Sequence, residues 1–329
     1  MPSRTIMAFT ATLGLLVSAM VGTPAAAAAA DYPAKPIKLV AAFAPGGPAD
    51  VVARLIAAAI SPGLGKTVYV ENRPGAGGTI GARDVAASAA DGYTLLLGNT
   101  ANLVISPLLY KQAGYDPAKA FAAVALVGTT PNILIASNAS GFKSVQDVIA
   151  YARKNPGKLN YSSAGIGTPL HLIGEMFKQR LGLDIAHIPY KSGGQATQAV
   201  MKGETQISFD SPEPALPAIR NGTVQGLAVT SETRIPQAPN LPTMIEAGVP
   251  DFVSVSFTGI AAPAGTPRPI VDRLNREIMK ALGSEQLKPK LTNLAVATRI
   301  GTAADFTAFL EVQRQRWGKV VERANIPKE

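Results

Sequence analysis

Apolar and polar positions follow two different periods along the chain, and the two alternate regularly. Short apolar runs at Ile37 to Phe43, Thr67 to Glu71 and Tyr93 to Gly98 each precede a stretch with helical spacing, at Ala49 to Ile60, Gly77 to Ala90 and Asn102 to Gln112. In the first of these helices Val51, Val52, Leu55, Ile56 and Ala59 form one stripe, so it packs on a sheet by one side only. The pattern restarts after the long run Ala125 to Ser137. Helices are predicted over Ser144 to Lys154, Thr168 to Leu181, Gly194 to Lys202 and Pro214 to Asn221, interleaved with strands at Lys158 to Ser162, Ile185 to Pro189, Thr205 to Phe209 and Val224 to Thr230. A last strand at Phe252 to Ala262 and a helix at Pro267 to Leu282 lead to a long terminal helix. Ser144 with Asp147, and Thr302 with Asp305, have the spacing of capping boxes.

This alternation predicts an α/β fold in two lobes, each a mainly parallel sheet flanked by helices, with a cleft between them. About 300 residues after the leader exceed one ordinary core, which also favours two lobes. The Pro-punctuated extended segments near residues 128 to 137 and 255 to 264 are the natural crossings. One lobe is expected over residues 31–130 plus 256–329 and the other over 131–255.

The first thirty residues add a destination. Arg4, the apolar stretch Ile6 to Val21 and the small-residue run ending at Ala30 read as a secretory leader, cleaved near Ala30 to start the mature chain at Asp31. A periplasmic protein follows. The absence of cysteine excludes disulfides, thiolate metal sites, a cysteine nucleophile and a lipidated N-terminal cysteine. The formal charge is +9, of which the leader carries only Arg4. Such a surface suits anionic ligands. Nucleic acid is not expected, because Lys and Arg are scattered singly and aromatics make up only 6% of the chain.

Two loops carry the candidate chemistry. Phe43, Ala44, Pro45, Gly46 and Gly47 follow the first strand, and Ser162, Ser163, Ala164, Gly165, Gly167 and Thr168 follow a strand in the second half; each runs straight into a helix. Small residues let backbone approach a ligand closely, and the uncompensated N–H groups of a helix start attract anions. Two such loops, one in each half, suggest a two-jawed grip on one anion. Asn99, Thr100 and Asp210, at the ends of two further strands, would tune the distal end of the ligand. His171 either donates to a ligand carboxylate or bonds neighbouring backbone. His187, within a strand, reads as structural, and Asp50 as a helix-start residue.

Other glycine-rich stretches fail as nucleotide signatures. In the segment from Glu71 to Asp84 the third glycine of a dinucleotide fingerprint is replaced by Ile80, and PGLGKT at residues 62–67 lacks the first P-loop glycine and follows a helix. Two histidines cannot make a His-rich metal site, and no GxSxG elbow supplies a serine nucleophile. No cofactor is expected.

The blocks YPAKPIKLVAAFAPGGPADVVAR, VENRPGAGGTIGA, YSSAGIGTPLHLIGEMF, HIPYKSGGQA, GLAVTSETR and APAGTP, in this order, resemble those of the Bug family, the TctC-like receptors of tripartite tricarboxylate transporters. The resemblance spans essentially the whole chain after the leader. It implies a two-lobed periplasmic binding protein, type II-like and monomeric, that captures a small carboxylate and delivers it to the membrane subunits of a tripartite transporter. It also implies that the two loops, with His171, clamp one carboxylate. The family's aromatic pair before the second crossing stands here as Phe257 and Thr258, and the stretch Asp210 to Glu213 brings an additional carboxylate near the crevice. Two alternatives remain open on the sequence. One is an exported hydrolase using Ser162 or Ser163 with His171; the other is a ligand receptor for a sensor kinase.

Overall fold

The helices that follow the strands Ile37–Ala41, Asn160–Ser163 and Ile207–Asp210 each begin with a proline, at Pro48, Pro169 and Pro212, so at these points the local signals and the fold coincide. The structure, a computed structural model, describes residues 31–110 and 113–326; the predicted leader lies outside the described residues, as do Lys111 and Gln112. A six-stranded sheet has the order β11-β4-β10-β3-β1-β2. Its strands are β1 (Ile37–Ala41), β2 (Val68–Asn72), β3 (Thr94–Asn99), β4 (Phe121–Pro131), β10 (Val255–Pro263) and β11 (Ala297–Thr298). A five-stranded sheet has the order β7-β6-β8-β5-β9. It is built from β5 (Ile133–Ser137), β6 (Asn160–Ser163), β7 (Ala186–Pro189), β8 (Ile207–Asp210) and β9 (Val224–Val229). Helices cover both sheets. Among the described residues no helix is long and apolar enough to cross a membrane.

Most strands in each sheet run in one direction, but the sheets are mixed. Strands β1, β2 and β3 pair in parallel, as do β6, β7 and β8, but β10 runs antiparallel to β3 and β4, and β5 antiparallel to β8 and β9. The cause is the crossing. The run read as one extended segment, Ala125 to Ser137, is two strands in different sheets separated by Asn132 alone. A chain that leaves one sheet and enters the next without a covering helix has no crossover to reverse its direction, so it enters each sheet against the βαβ strands.

Local details differ too. Helix Gly77 to Ala90 shortens to Thr79–Ala86 behind a single turn at Ala76–Gly78, and Asn102 to Gln112 resolves into a π-helical turn at Ala101–Ile105 and an α-turn at Ser106–Leu109. The short helix Lys288–Asn293 and β11 were not expected. Both capping boxes are present, at Val145–Lys154 and Ala303–Arg323.

The crossings are knitted together by one side chain. Thr230, fully buried, takes the N–H of Asn132 on its Oγ1 at 2.8 Å, and its own backbone bonds Asn132 and Ser254 from both sides. Three segments passing between the sheets are thus tied at one point. Replacing Thr230 by the isosteric valine leaves the buried Asn132 N–H without its acceptor, and the expected loss is about 1–3 kcal/mol of unfolding free energy. Denaturant unfolding measures it, and a loss indistinguishable from zero would mean that the crossings are secured elsewhere.

Candidate ligand-binding site

In each sheet the first strand of a βαβ series sits between the second and third: β1 lies between β2 and β3, and β6 between β7 and β8. The connections diverge there, to opposite faces, and leave a crevice at the carboxyl ends. The candidate residues fall at those ends: Phe43 to Gly47 after β1, Asn99 and Thr100 after β3, Ser163 to Thr168 after β6, and Asp210 closing β8. Topology therefore gathers segments far apart in sequence around two switch points.

A cleft of about 490 Å³ opens at the first switch point, with Phe43, Ala44, Gly47, Asn99 and Thr100 in its wall. Of the other predicted residues, Pro45 and Gly46 belong to the same loop without lining the cleft, and the loop after β6 reaches it only through the following residue, Pro169. The rest of the lining includes Val52, Asn132, Ser211, Glu213, Ser256, Phe257 and Thr258.

The loop after β1 is held by a carboxylate. Asp50, 3% exposed, accepts from the N–H of Gly46 at 3.0 Å and from Asn72 Nδ2 at 2.9 Å, and it pairs with Arg54 at 2.9 Å. Asn72 Nδ2 also donates to the carbonyl of Phe43 at 3.0 Å. Arg54 first, and then the Gly46 and Asn72 hydrogen bonds, hold the Asp50 carboxyl down at about 2. Asp50 therefore braces the loop from behind, a role related to but distinct from helix capping. The helix Pro48–Leu64 begins at Gly47, whose backbone is extended at φ −77° and which offers no side-chain cap. Pro48 has no N–H, so the N–H groups of Ala49 and Asp50 are the ones that no preceding helical carbonyl can take. Ser144, Thr168, Ser192 and Thr302 all cap their helices by side chain; Gly47 leaves its helix end open beside the cleft.

Asn99 accepts from the N–H of Ala101 at 3.0 Å and of Asn102 at 3.2 Å, which pins its Oδ1, while its amide N–H groups have no partner among the described residues. The Thr100 hydroxyl accepts from Phe257 N at 2.9 Å, locking the start of the π-helical turn to β10. Phe257 in turn packs edge-on against Phe306 and Phe309.

The loop after β6 is closed on itself. Gly165 N donates to Ser163 Oγ at 3.1 Å, Thr168 Oγ1 donates to the Gly165 carbonyl at 2.7 Å, and Gly167 N donates to His171 Nδ1 at 3.0 Å. His171 thus takes the backbone-bonding alternative, and its proton sits on Nε2. Gly165 and Gly167 have φ of +116° and +75°, which only glycine accepts easily, and a Cβ on Gly167 would lie 2.5 Å from Leu109 Cδ1. Leu109, from the turn Ser106–Leu109, lies against this loop. Behind it His171 stacks on His187 at 4.1 Å, and His187 on Tyr161 at 4.9 Å. Burial lowers the pKa of both imidazoles, that of His187 to about 4, so the stack is neutral.

Three expectations change here. Ser162 is fully buried and donates to the Ala196 carbonyl at 3.1 Å, so it faces no ligand. Ser163, also fully buried, meets His187 at 2.6 Å instead of His171, and among the described residues no Asp or Glu hydrogen-bonds to His187. Asp210 does not face the crevice: it is fully buried, with Oδ1 accepting from Ser211 N at 3.0 Å and Oδ2 against the Thr197 hydroxyl. Neighbouring Ser211 and Glu213 take the place in the wall that Asp210 was expected to fill. Asn132 was missed. The signal for it is a lone amide interrupting an apolar run, at the one residue between two strands.

Residues 52–326 match the family model described as the tripartite tricarboxylate transporter family receptor, TctC. The protein BugT of Bordetella pertussis is 35% identical over 94% of this chain and 95% of its own length. Among solved structures, R. palustris Rpa4515 with adipate superposes with a TM-score of 0.79 at 35% identity, covering 90% of this chain and 99% of that one. The periplasmic binding protein BugD gives 0.75 at 35% identity, over 91% and 100%. The family model describes a receptor, and BugD is a periplasmic binding protein. The match to the family model takes in most of the chain, and the match in fold nearly all of it, so this chain belongs to the tripartite tricarboxylate transporter receptor family.

Proposed function

We propose that this protein is an exported receptor that binds a small carboxylate-bearing solute between its lobes and hands it to the membrane subunits of a tripartite transporter. The observation that carries the carboxylate reading is the open helix start at Gly47. Two unclaimed backbone N–H groups and the positive end of a 17-residue helix lie beside the cleft, and Asp50 braces the loop that presents them. The adipate in Rpa4515 supports a carboxylate by family likeness. Residues 31–130 with 256–329 would move as one lobe and 131–255 as the other, hinged where Asn132, Thr230 and Ser254 cross. Closure would bring the loop Ser163 to Thr168 towards the loop Phe43 to Gly47. Export would remove residues 1–30, and the working form would be a monomer.

A carboxylate should therefore raise the melting temperature, and its uncharged amide should raise it less. At a ligand concentration of about 100 times Kd the stabilisation is about 2.7 kcal/mol, well within a thermal-shift screen. Equal stabilisation by acids and their amides across the panel would remove the anion seat from the account.

A further inference from the structure

The cleft is chemically lopsided. Its wall includes the open helix start at Gly47. It also includes the start of the helix Pro212–Arg220, whose first turn reads Pro212, Glu213, Pro214. Two of these three positions have no N–H at all, and the third carries a carboxylate at the positive end of the helix. This second helix start repels anions, while the first invites them.

Glu213 is the sole ionisable side chain among the residues lining the cleft, on a chain whose formal charge is +9. It makes no hydrogen bond or ion pair with any described residue, although basic side chains are plentiful elsewhere. Glu213 is exposed, so its carboxylate is open to a ligand, and the protein around it pushes its carboxyl above the usual range. A second acceptor stands in the same wall. Asn132 is 3% exposed, and its Oδ1 has no partner. A buried acceptor without a donor is costly, and a ligand N–H would satisfy it. The lining also holds the apolar Val52, Pro131, Phe257 and Leu294.

We propose that the cleft selects a zwitterion: a monocarboxylate held at the Gly47 helix start whose far end carries a cationic nitrogen seated between Glu213 and Asn132. This rests on the carboxylate reading above and narrows it. A dicarboxylate such as adipate would set its second charge against Glu213, so this receptor should differ in preference from a relative that holds adipate.

Calorimetry of the purified protein against matched acids of four to eight carbons tests the proposal. At each length the ω-amino acid, the dicarboxylate, the plain acid and the plain amine are compared, with 6-aminohexanoate, adipate, hexanoate and hexylamine as the six-carbon set. The best ω-amino acid should bind at least about tenfold more tightly than the plain acid of its length, the dicarboxylate more weakly than either, and Glu213→Gln should erase the amino preference. Glu213 makes no bond to the protein, so the variant should melt like the parent. A dicarboxylate binding as well as the amino acid, an unaltered preference in Glu213→Gln, or no binding by any amino acid of the panel would each overturn the zwitterion. A plain amine binding as tightly as the amino acid would instead sink the carboxylate end and leave the cation seat standing.

Discussion

Gly47→Asp is expected to abolish carboxylate binding while leaving the protein folded. Gly47 is the N-cap of Pro48–Leu64, with φ −77° and ψ 169°, a backbone that any residue adopts. A Cβ there meets only the Ala44 carbonyl, at 3.4 Å, an ordinary contact. Aspartate is among the residues that helix starts prefer, and exchanging it for glycine changes stability by only a few tenths of a kcal/mol. Its carboxylate would bond the N–H groups of Ala49 and Asp50 and so fill the anion seat from within. An incoming carboxylate then loses two charge-assisted hydrogen bonds, at roughly 1.5–3 kcal/mol each, and meets a like charge; a drop in affinity of about a thousandfold follows. Gly47→Ala, which adds the carbon without the charge, should bind far better than the aspartate. Calorimetry reads the affinities and circular dichroism the fold, and near-parental binding by a folded Gly47→Asp protein would show that the ligand sits elsewhere. Gly167, the corresponding choice in the other loop, is a poor probe: its φ is +75° and Leu109 already fills the space, so a substitution would disturb packing before it touched a ligand.

What could be read from the chain follows the range of the interactions concerned. Helix starts rest on contacts three residues apart, and Ser144 with Asp147, Thr302 with Asp305 and Thr168 before Pro169 are visible in any window that spans them. The loop after β1 is legible for the same reason, since its glycines, its proline and Asp50 lie within one turn. The direction of β4, β5 and β10 is not, because it is set by pairing partners as distant as Thr258 and Asn99. Which way Asp210 points is likewise a long-range matter. Its place at a strand end is local, but Thr197, 13 residues earlier on the helix Gly193–Lys202, draws the carboxylate inward and leaves the crevice to Glu213. Asn132 escapes notice because the strands on either side of it are continuous in their apolar pattern, and only their separation into two sheets turns the residue between them into part of a wall.

The inward turn of Asp210 has a consequence for stability. The Thr197 hydroxyl lies 3.0 Å from the Gly193 carbonyl and also against Asp210 Oδ2, yet it has one proton to give. If it donates to Gly193, the proton between Thr197 and Asp210 belongs to the acid, and the whole chain of bonds is satisfied with Asp210 neutral. Burial, opposed by the Thr197 and Ser211 hydrogen bonds, pushes this carboxyl from 3.8 up to about 6. The sign follows from linkage. The folded protein holds the proton more tightly than the unfolded chain, so the contribution of Asp210 to stability is fully present below pH 3.8 and is lost as the pH rises through about 6. Above that range the ionised, enclosed group costs about 3 kcal/mol. Asp210→Asn reproduces the neutral acid, with Nδ2 donating to Thr197 and Oδ1 accepting from Ser211. The variant should be more stable than the parent by up to about 3 kcal/mol at pH 7.5, and the gap should close towards pH 4. His187, held down at about 4, acts in the opposite sense, because the unfolded chain takes up its proton first as the pH falls; it is common to both proteins and cancels in their difference. Urea unfolding of the pair at pH 4, 5, 6 and 7.5 gives that difference directly. A gap that stays constant with pH, or an asparagine variant less stable than the parent at pH 7.5, would mean that the folded protein holds Asp210 ionised without cost across this whole range and that the hydroxyl of Thr197 points to it.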